Sequence, residues 1–323
     1  MHPVEPAKPL NNAQIGGSFY FFTMIVYTKP YQDVSYLIAL LKERGLLIDD
    51  EAKARNYIIH IGYFRLSAYF YPFLKQPKTI HKYKSGSTFE QVLNLYRFDR
   101  KLRLLVFNEI EKIEVAIRSA MVNTACQHFN DTYWITQSQY FYNQNYFNSS
   151  MEEIESELSR SREDFIEHFK NTYSNPHPPA WMIAEILPLG NICRIYKNIN
   201  DRNLKKKIAK QFGLQPIAFE SWIMTIVGLR NICCHHNRLW NRVLPIRTIL
   251  LQSTIFPWIS DSSSTVDTQR VYFRLCMIRY LLFSVSPHNT FKEKLITLIN
   301  NYPNVDINAM GFTIDWQNEP LWR

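Results

Sequence analysis

The sequence predicts an all-α fold, and three observations predict it. Glycine is scarce, 9 of 323 residues, under half the usual share of about 7%, whereas sandwiches, barrels and dinucleotide-binding folds consume glycine wherever φ must be positive. Apolar residues recur at three- and four-residue spacing through most of the chain. Hydrophobic residues at 46% and aromatics at 15% supply a core and exclude a disordered or fibrous protein. No internal repeat, heptad array or glycine-rich phosphate loop is present. At about 150 residues per domain the length admits two units, or one large unit with appendages.

The elements follow in order. Residues 1–28 carry Pro3, Pro6, Pro9 and Gly16-Gly17 and read as an extension outside the fold, either disordered or not native, with Met24 as an alternative start. The apolar run Phe19 to Tyr27 is too short to span a bilayer and lacks a basic flank and cleavage site. Val34, Leu37, Ile38 and Leu41 then mark a helix closed by Gly45. Asp49-Asp50-Glu51 opens a second at its dipole-favoured end, running through Ile58 and Ile61 toward Tyr69 until Pro72. Lys75 to Ser87 reads as a loop. Thr88 to Val122 is the longest helical pattern, with a capped start and Glu114 and Arg118 paired four apart on a solvated face. Residues 130–150 read as loop or short helix, and Glu152 to Tyr173 as a charged helix broken by Pro176, Pro178 and Pro179. Trp181 to Ile199, Lys205 to Phe212 and Ile217 to Val243 are further helices. A serine-rich loop at 260–264, a helix from Val271 to Val285 and a Pro/Asn-rich tail complete the chain. The units expected are a helical module at 29–87, a helical bundle at 88–245 and an accessory helical region at 246–323.

Lys and Arg number 37 against 28 Asp and Glu, a formal net charge of +9, which favours an anionic partner, nucleic acid before a membrane surface. Five cysteines without a spaced framework read as reduced thiols of a cytoplasmic protein. Cys233-Cys234-His235-His236 does not read as a metal site, because consecutive helical residues point about 100° apart and cannot converge on one ion. No metal and no cofactor is expected, and no nucleophile elbow or cysteine-nucleophile signature occurs.

The chemistry concentrates in Leu229 to Arg242. On one continuous helix Asn231, His235, Arg238 and Arg242 share a stripe, while Cys233, His236 and Trp240 lie on an apolar one. His236 therefore reads as a core histidine and His235 as the reactive one, with Arg230 able to swing toward it. From residue 221 to 260 there is no acidic residue, while Arg230, Arg238, Arg242 and Arg247 all fall there. An imidazole among guanidinium groups suits a polyanion. On RNA, His235 can move a proton at the 2′-hydroxyl or the leaving oxygen while arginine holds the transition-state charge, and the 2′-hydroxyl is itself the nucleophile. The plainer alternative is a stripe that binds phosphate or pairs with acids elsewhere. Arg97, Arg100 and Arg103, three apart, suit either a phosphate backbone or a solvated face. Lys205-Lys206-Lys207 reads as surface, and the aromatics of 133–147 as base-stacking or packing groups.

The Arg-Asn-x-x-x-His core at 230–235, extended by His236, Arg238 and Leu239-Trp240-Asn241-Arg242, resembles the signature of Abi-like (AbiD/AbiF) abortive-infection proteins of the HEPN superfamily. Ile61 to Tyr69, Arg97 to Arg103, Ile113 to Arg118 and Pro179-Ala180-Trp181 with Glu185 agree with it, and the likeness covers residues 29–245. The resemblance implies an all-α HEPN-type bundle with additional N- and C-terminal helices. It also implies metal-independent endoribonuclease activity at a composite site between two facing helices of a homodimer, in an antiphage or toxin setting where a small regulatory RNA or an antitoxin is a further partner. No membrane partner is expected. Arg230, Asn231 and His235 are the expected catalytic residues, with Arg238, Arg242, Arg100 and Arg103 on the RNA phosphates. The alternative is a non-catalytic module that holds a regulatory RNA. Arg55-Asn56 to His60 repeats the core motif in a charge-balanced, tyrosine-rich helix, where a structural histidine is the simpler reading.

Overall fold

The computed structural model describes residues 26–260 and 266–323. The N-terminal apolar run up to Ile25, Met24 and most of the serine-rich loop lie outside the described residues. Among the described residues there are twelve α-helices, several 3₁₀ turns, three isolated β-bridges and no strand, so the all-α expectation holds.

Helix α1 (Val34–Glu43) is capped by Asp33, and α2 (Glu51–Ile61) by the Asp50 side chain, the acidic start that the sequence signals. The second predicted helix does not run on to Tyr69. Gly62 breaks it at φ 88°, and α3 (Tyr63–Phe70) sets off in a new direction. An L-side chain at this positive φ is strained. Gly62→Ala is therefore expected to lower stability by about 1–2 kcal/mol, read as a shift of the urea midpoint; an unchanged midpoint would show that the break is not held by this dihedral.

The long helix α4 (Phe89–Phe129) is the spine of the molecule, 41 residues and about 60 Å long. Thr88 and Gln91 close a reciprocal capping box at its start. It outruns the expected end at Val122 because Ala125 is still buried, and Asn130 closes it in the left-handed region. The stretch after it resolves into 3₁₀ turns and α5 (Gln144–Arg160). Its aromatics mostly pack: Trp134 is fully buried and Phe129 stacks on Tyr140 at 3.9 Å, with Tyr142 and Tyr146 left exposed.

Two further predicted helices are each two. Glu152 to Tyr173 divides between α5 and α6 (Asp164–Thr172), and Trp181 to Ile199 divides at Pro188 into α7 (Ala180–Ile186) and α8 (Leu189–Asn198). Pro188 removes a helical donor and disfavours helix at the residue before it. Helix α9 (Arg202–Lys210) is capped by Asp201, and its Lys205 is folded against Glu220 at 3.2 Å, leaving Lys206 and Lys207 exposed.

Helix α10 (Pro216–Cys234) is apolar and long enough to cross a membrane by composition. Its Phe219, Trp222, Ile223 and Ile226 are fully buried against α4, α8 and α9, the environment of a core helix. Helix α11 (Val271–Val285) spans the predicted range and is buried from Val271 to Leu282, while the tail forms α12 (Phe291–Asn300) and three 3₁₀ turns. Both late helices pack on α4.

Candidate active site

The expected helix from Ile217 to Val243 stops at Cys234, and this reshapes the site. His235 is the C-cap, and His236 takes the left-handed conformation at φ 55°. The His236 N–H donates to the Cys233 carbonyl and the Asn237 N–H to that of Ile232, the paired bonds of a Schellman ending. Glycine usually fills the position that His236 occupies, though histidine is among the residues that tolerate it. Two expectations fall with the helix. Arg238 and Arg242 share no helical stripe with Asn231 and His235, and His236 is not a core histidine but exposed.

The chain beyond the turn is fixed by Asp99. This carboxylate on α4 is fully buried and accepts from the Trp240 N–H at 2.6 Å, the Leu239 N–H at 3.1 Å, the Tyr69 hydroxyl at 2.6 Å and Arg103 at 2.5 Å. It joins α3, α4 and the segment after α10 at one point. Between its anchors, Arg238 is half-buried and turns back to the Ala68 carbonyl at 3.4 Å, and desolvation lowers its pKa. Arg242 donates to the Arg238 carbonyl at 3.4 Å.

Of the three evenly spaced arginines only Arg100 stands free. Arg97 binds Glu90 at 2.7 Å and the Tyr57 hydroxyl at 2.8 Å, and Arg103, 5% exposed, is held by Asp99. Arg97 and Arg103 are thus paired with acids of their own helix, neither solvated nor free for phosphate, and a shared backbone-tracking face for the three is not formed.

Arg230 leans the other way along α4. Its Nε lies 3.7 Å from Glu114 Oε2, and Glu114 also accepts from Arg118 at 2.5 Å. The predicted Glu114–Arg118 pair exists, yet it is not on a solvated face: Arg118 reaches the carbonyls of Ala184 and Leu187 at 2.5 and 2.6 Å, tying the end of α7 to α4. Nη1 of Arg230 lies 3.5 Å from Asn231 Oδ1. Asn231 and His235, one turn apart, are both exposed, and the His235 ring makes no hydrogen bond among the described residues.

The buried Cys233 thiol is not a nucleophile. Burial pushes Cys233 up to about 12, leaving it protonated at neutral pH. None of the five cysteines is in a disulfide. Among the described residues no group of three or more His, Cys, Asp or Glu side chains is placed to hold a metal ion.

Sequence reasoning gave no role to Asp99 or Tyr69, and it set Arg103 on the RNA phosphates where the structure holds it on Asp99. The signal was present: Asp99 is the only acid in a run that holds Arg97, Arg100, Lys101 and Arg103.

Fold and site together define an all-helical protein that presents an exposed imidazole and amide at the end of a core helix, next to a guanidinium held by α4. A family model described as Abi-like protein matches residues 56–241, more than half of the chain, and the chain belongs to the Abi-like protein family. Membership of that family suggests a role in abortive infection. No curated protein and no solved structure matches the chain.

Proposed function

We propose that this chain is a metal-independent endoribonuclease of the HEPN type, serving an antiphage abortive-infection or toxin system. The observation that carries the reading is the exposed, unpartnered imidazole of His235 at the end of α10, with Asn231 one turn before it and Arg230 beside Asn231. The 2′-oxygen of RNA attacks the adjacent phosphorus, the bond from phosphorus to the 5′-oxygen breaks, and the products are a 2′,3′-cyclic phosphate and a 5′-hydroxyl. His235 carries the proton, Asn231 orients the imidazole, and Arg230 offsets the charge gathering on the phosphoryl oxygens. Glu114 and Arg118 position Arg230 from α4.

The active unit is a homodimer in which two copies of this helix end face each other. Support comes from α4, which leaves Leu104 and Val115 at 57% and 55% exposure, eleven residues apart along one side. Apolar side chains in such a row are what a second copy would cover.

The test is to incubate the purified chain with total RNA in EDTA and map the ends produced. Fragments with 2′,3′-cyclic phosphate and 5′-hydroxyl ends are expected, from a protein that elutes as a dimer. Bound but intact RNA would replace the nuclease by a module that holds a regulatory RNA, and an active strict monomer would end the composite-site reading.

A further inference from the structure

The break at Gly62 and the turn at His236 act together. They bring the ends of α2, α3 and α10 against α4, and a cavity of about 580 Å³ opens between them, within the usual range of about 300–1,000 Å³ for ligand sites. Its walls carry His60, Arg65, Arg100 and His236, with the aromatic rings of Tyr96 and Phe107, and none of its lining residues is acidic. Arg103 also lines it, but Asp99 neutralises that charge. Arg65 donates to the His236 carbonyl at 2.6 Å, which fixes the guanidinium at the wall while its remaining donors stay open. Arg100 and His60 are exposed and have no hydrogen bond or ion pair among the described residues.

The repeated motif at 55–60 is divided by this arrangement. Arg55 points to α1, donating to the Ser35 hydroxyl at 3.1 Å, and only His60 reaches the cavity. The second copy is therefore no second catalytic half; it supplies one wall of a different site.

We infer that this cavity is a nucleotide-binding site, in which Arg65 and Arg100 hold a phosphate, His60 and His236 add ring N–H donors, and Phe107 receives the face of the base. Two uncompensated guanidinium groups match the oxygens of a phosphate ester. Aromatic rings beside them match a π-faced base rather than a simple anion. The inference deepens the RNA reading and rests on it for the source of the nucleotide, an internal unit of an RNA chain seated beside His235; a free mononucleotide carries the same chemistry.

The full chain is titrated at physiological salt with a short fluorescein-labelled 2′-O-methyl RNA, which lacks the attacking hydroxyl and cannot be cut. Arg100→Glu is expected to weaken binding about tenfold or more. Lys294→Glu, the same change in charge at an exposed position of α12, is expected to weaken it less than about twofold. Phe107→Ala is expected to weaken it about tenfold through lost stacking. Arg100 has no partner to lose, so its variant folds, and a circular dichroism melt checks this. Equal losses for Arg100→Glu and Lys294→Glu overturn the site, as does displacement of the RNA by an equal concentration of polyglutamate, which marks a carboxylate-binding cleft instead. Adenosine 5′-monophosphate added as competitor separates the sources: effective competition shows that one nucleotide fills the site, and its failure beside a sensitive Arg100→Glu shows that the chain is the ligand. Binding that depends on Arg100 in a protein that cuts no RNA leaves the cavity standing without the nuclease. Cleavage and binding both untouched by Arg100→Glu leave the nuclease standing without the cavity.

Discussion

On the proposed mechanism, replacing His235 by alanine is expected to lower RNA cleavage by about 10²–10⁴-fold, the range that a positioned general acid or base contributes, equivalent to about 3–5 kcal/mol of barrier. Stability stays within about 0.5 kcal/mol of the parent. The second half of this expectation follows from the site itself. His235 caps α10 through its backbone N–H, which donates to the Asn231 carbonyl at 3.0 Å, and alanine retains that donor. The ring is exposed and bonded to nothing among the described residues. Single-turnover cleavage and a urea titration, run on one preparation, measure the two effects separately. Undiminished cleavage removes His235 from the mechanism; a large loss of stability would make any loss of cleavage uninformative. Arg230→Ala is a less clean probe, because it also strips Glu114 of one of its two guanidinium partners.

Local pattern made most of the helices readable and left their meeting points hidden. Helix α11 was legible because an apolar run from Val271 to Val285 closes between polar flanks, and α2 because Asp50 and Glu51 announce its start. The end of α10 was not legible. Cys233-Cys234-His235-His236-Asn237 contains no glycine or proline, and a histidine takes the left-handed turn that glycine would have advertised. One unsignalled turn overturned both the Arg238 and Arg242 stripe and the core role of His236, since every later position on the helical wheel depends on the helix continuing.

Asn231 and His235 keep their one-turn spacing because both lie before the turn at His236. Asp99, by contrast, meets Leu239 and Trp240 across 140 residues of sequence, and no periodicity records such a contact. The arginines around it show the same limit. Arg97, Arg100 and Arg103 look alike by spacing, and their neighbours, Glu90 and Tyr57 for Arg97 and Asp99 for Arg103, distinguish the two that are bound from the one that is free.

Asp99→Ala is expected to destabilise the protein by about 3–5 kcal/mol, the cost of removing one partner from a buried ion pair. The substitution leaves Arg103, 5% exposed, without its counter-charge. It also leaves the Leu239 and Trp240 N–H groups without an acceptor, each an added penalty where water cannot reach. Tyr69→Phe removes a single donor from the same carboxylate and is expected to cost about 1 kcal/mol. The two substitutions form a graded series in urea midpoint at constant slope. Asp99→Ala costing no more than Tyr69→Phe would show that the carboxylate is not the pin of this junction. The effect extends to function by a route that never touches the reacting atoms. Asp99 anchors the chain a few residues beyond His235, and the Trp240 indole in turn reaches the Asp306 carbonyl at 3.0 Å. Releasing that segment would free the Schellman turn at His236 to open and α10 to fray back toward Asn231, displacing the imidazole proposed to move the proton. At urea concentrations where the protein remains folded, Asp99→Asn, which retains an acceptor oxygen without the charge, should therefore cleave RNA at a rate between that of the parent and that of Asp99→Ala. A rate equal to the parent's in all three proteins would separate this buried junction from catalysis and leave it a purely structural device.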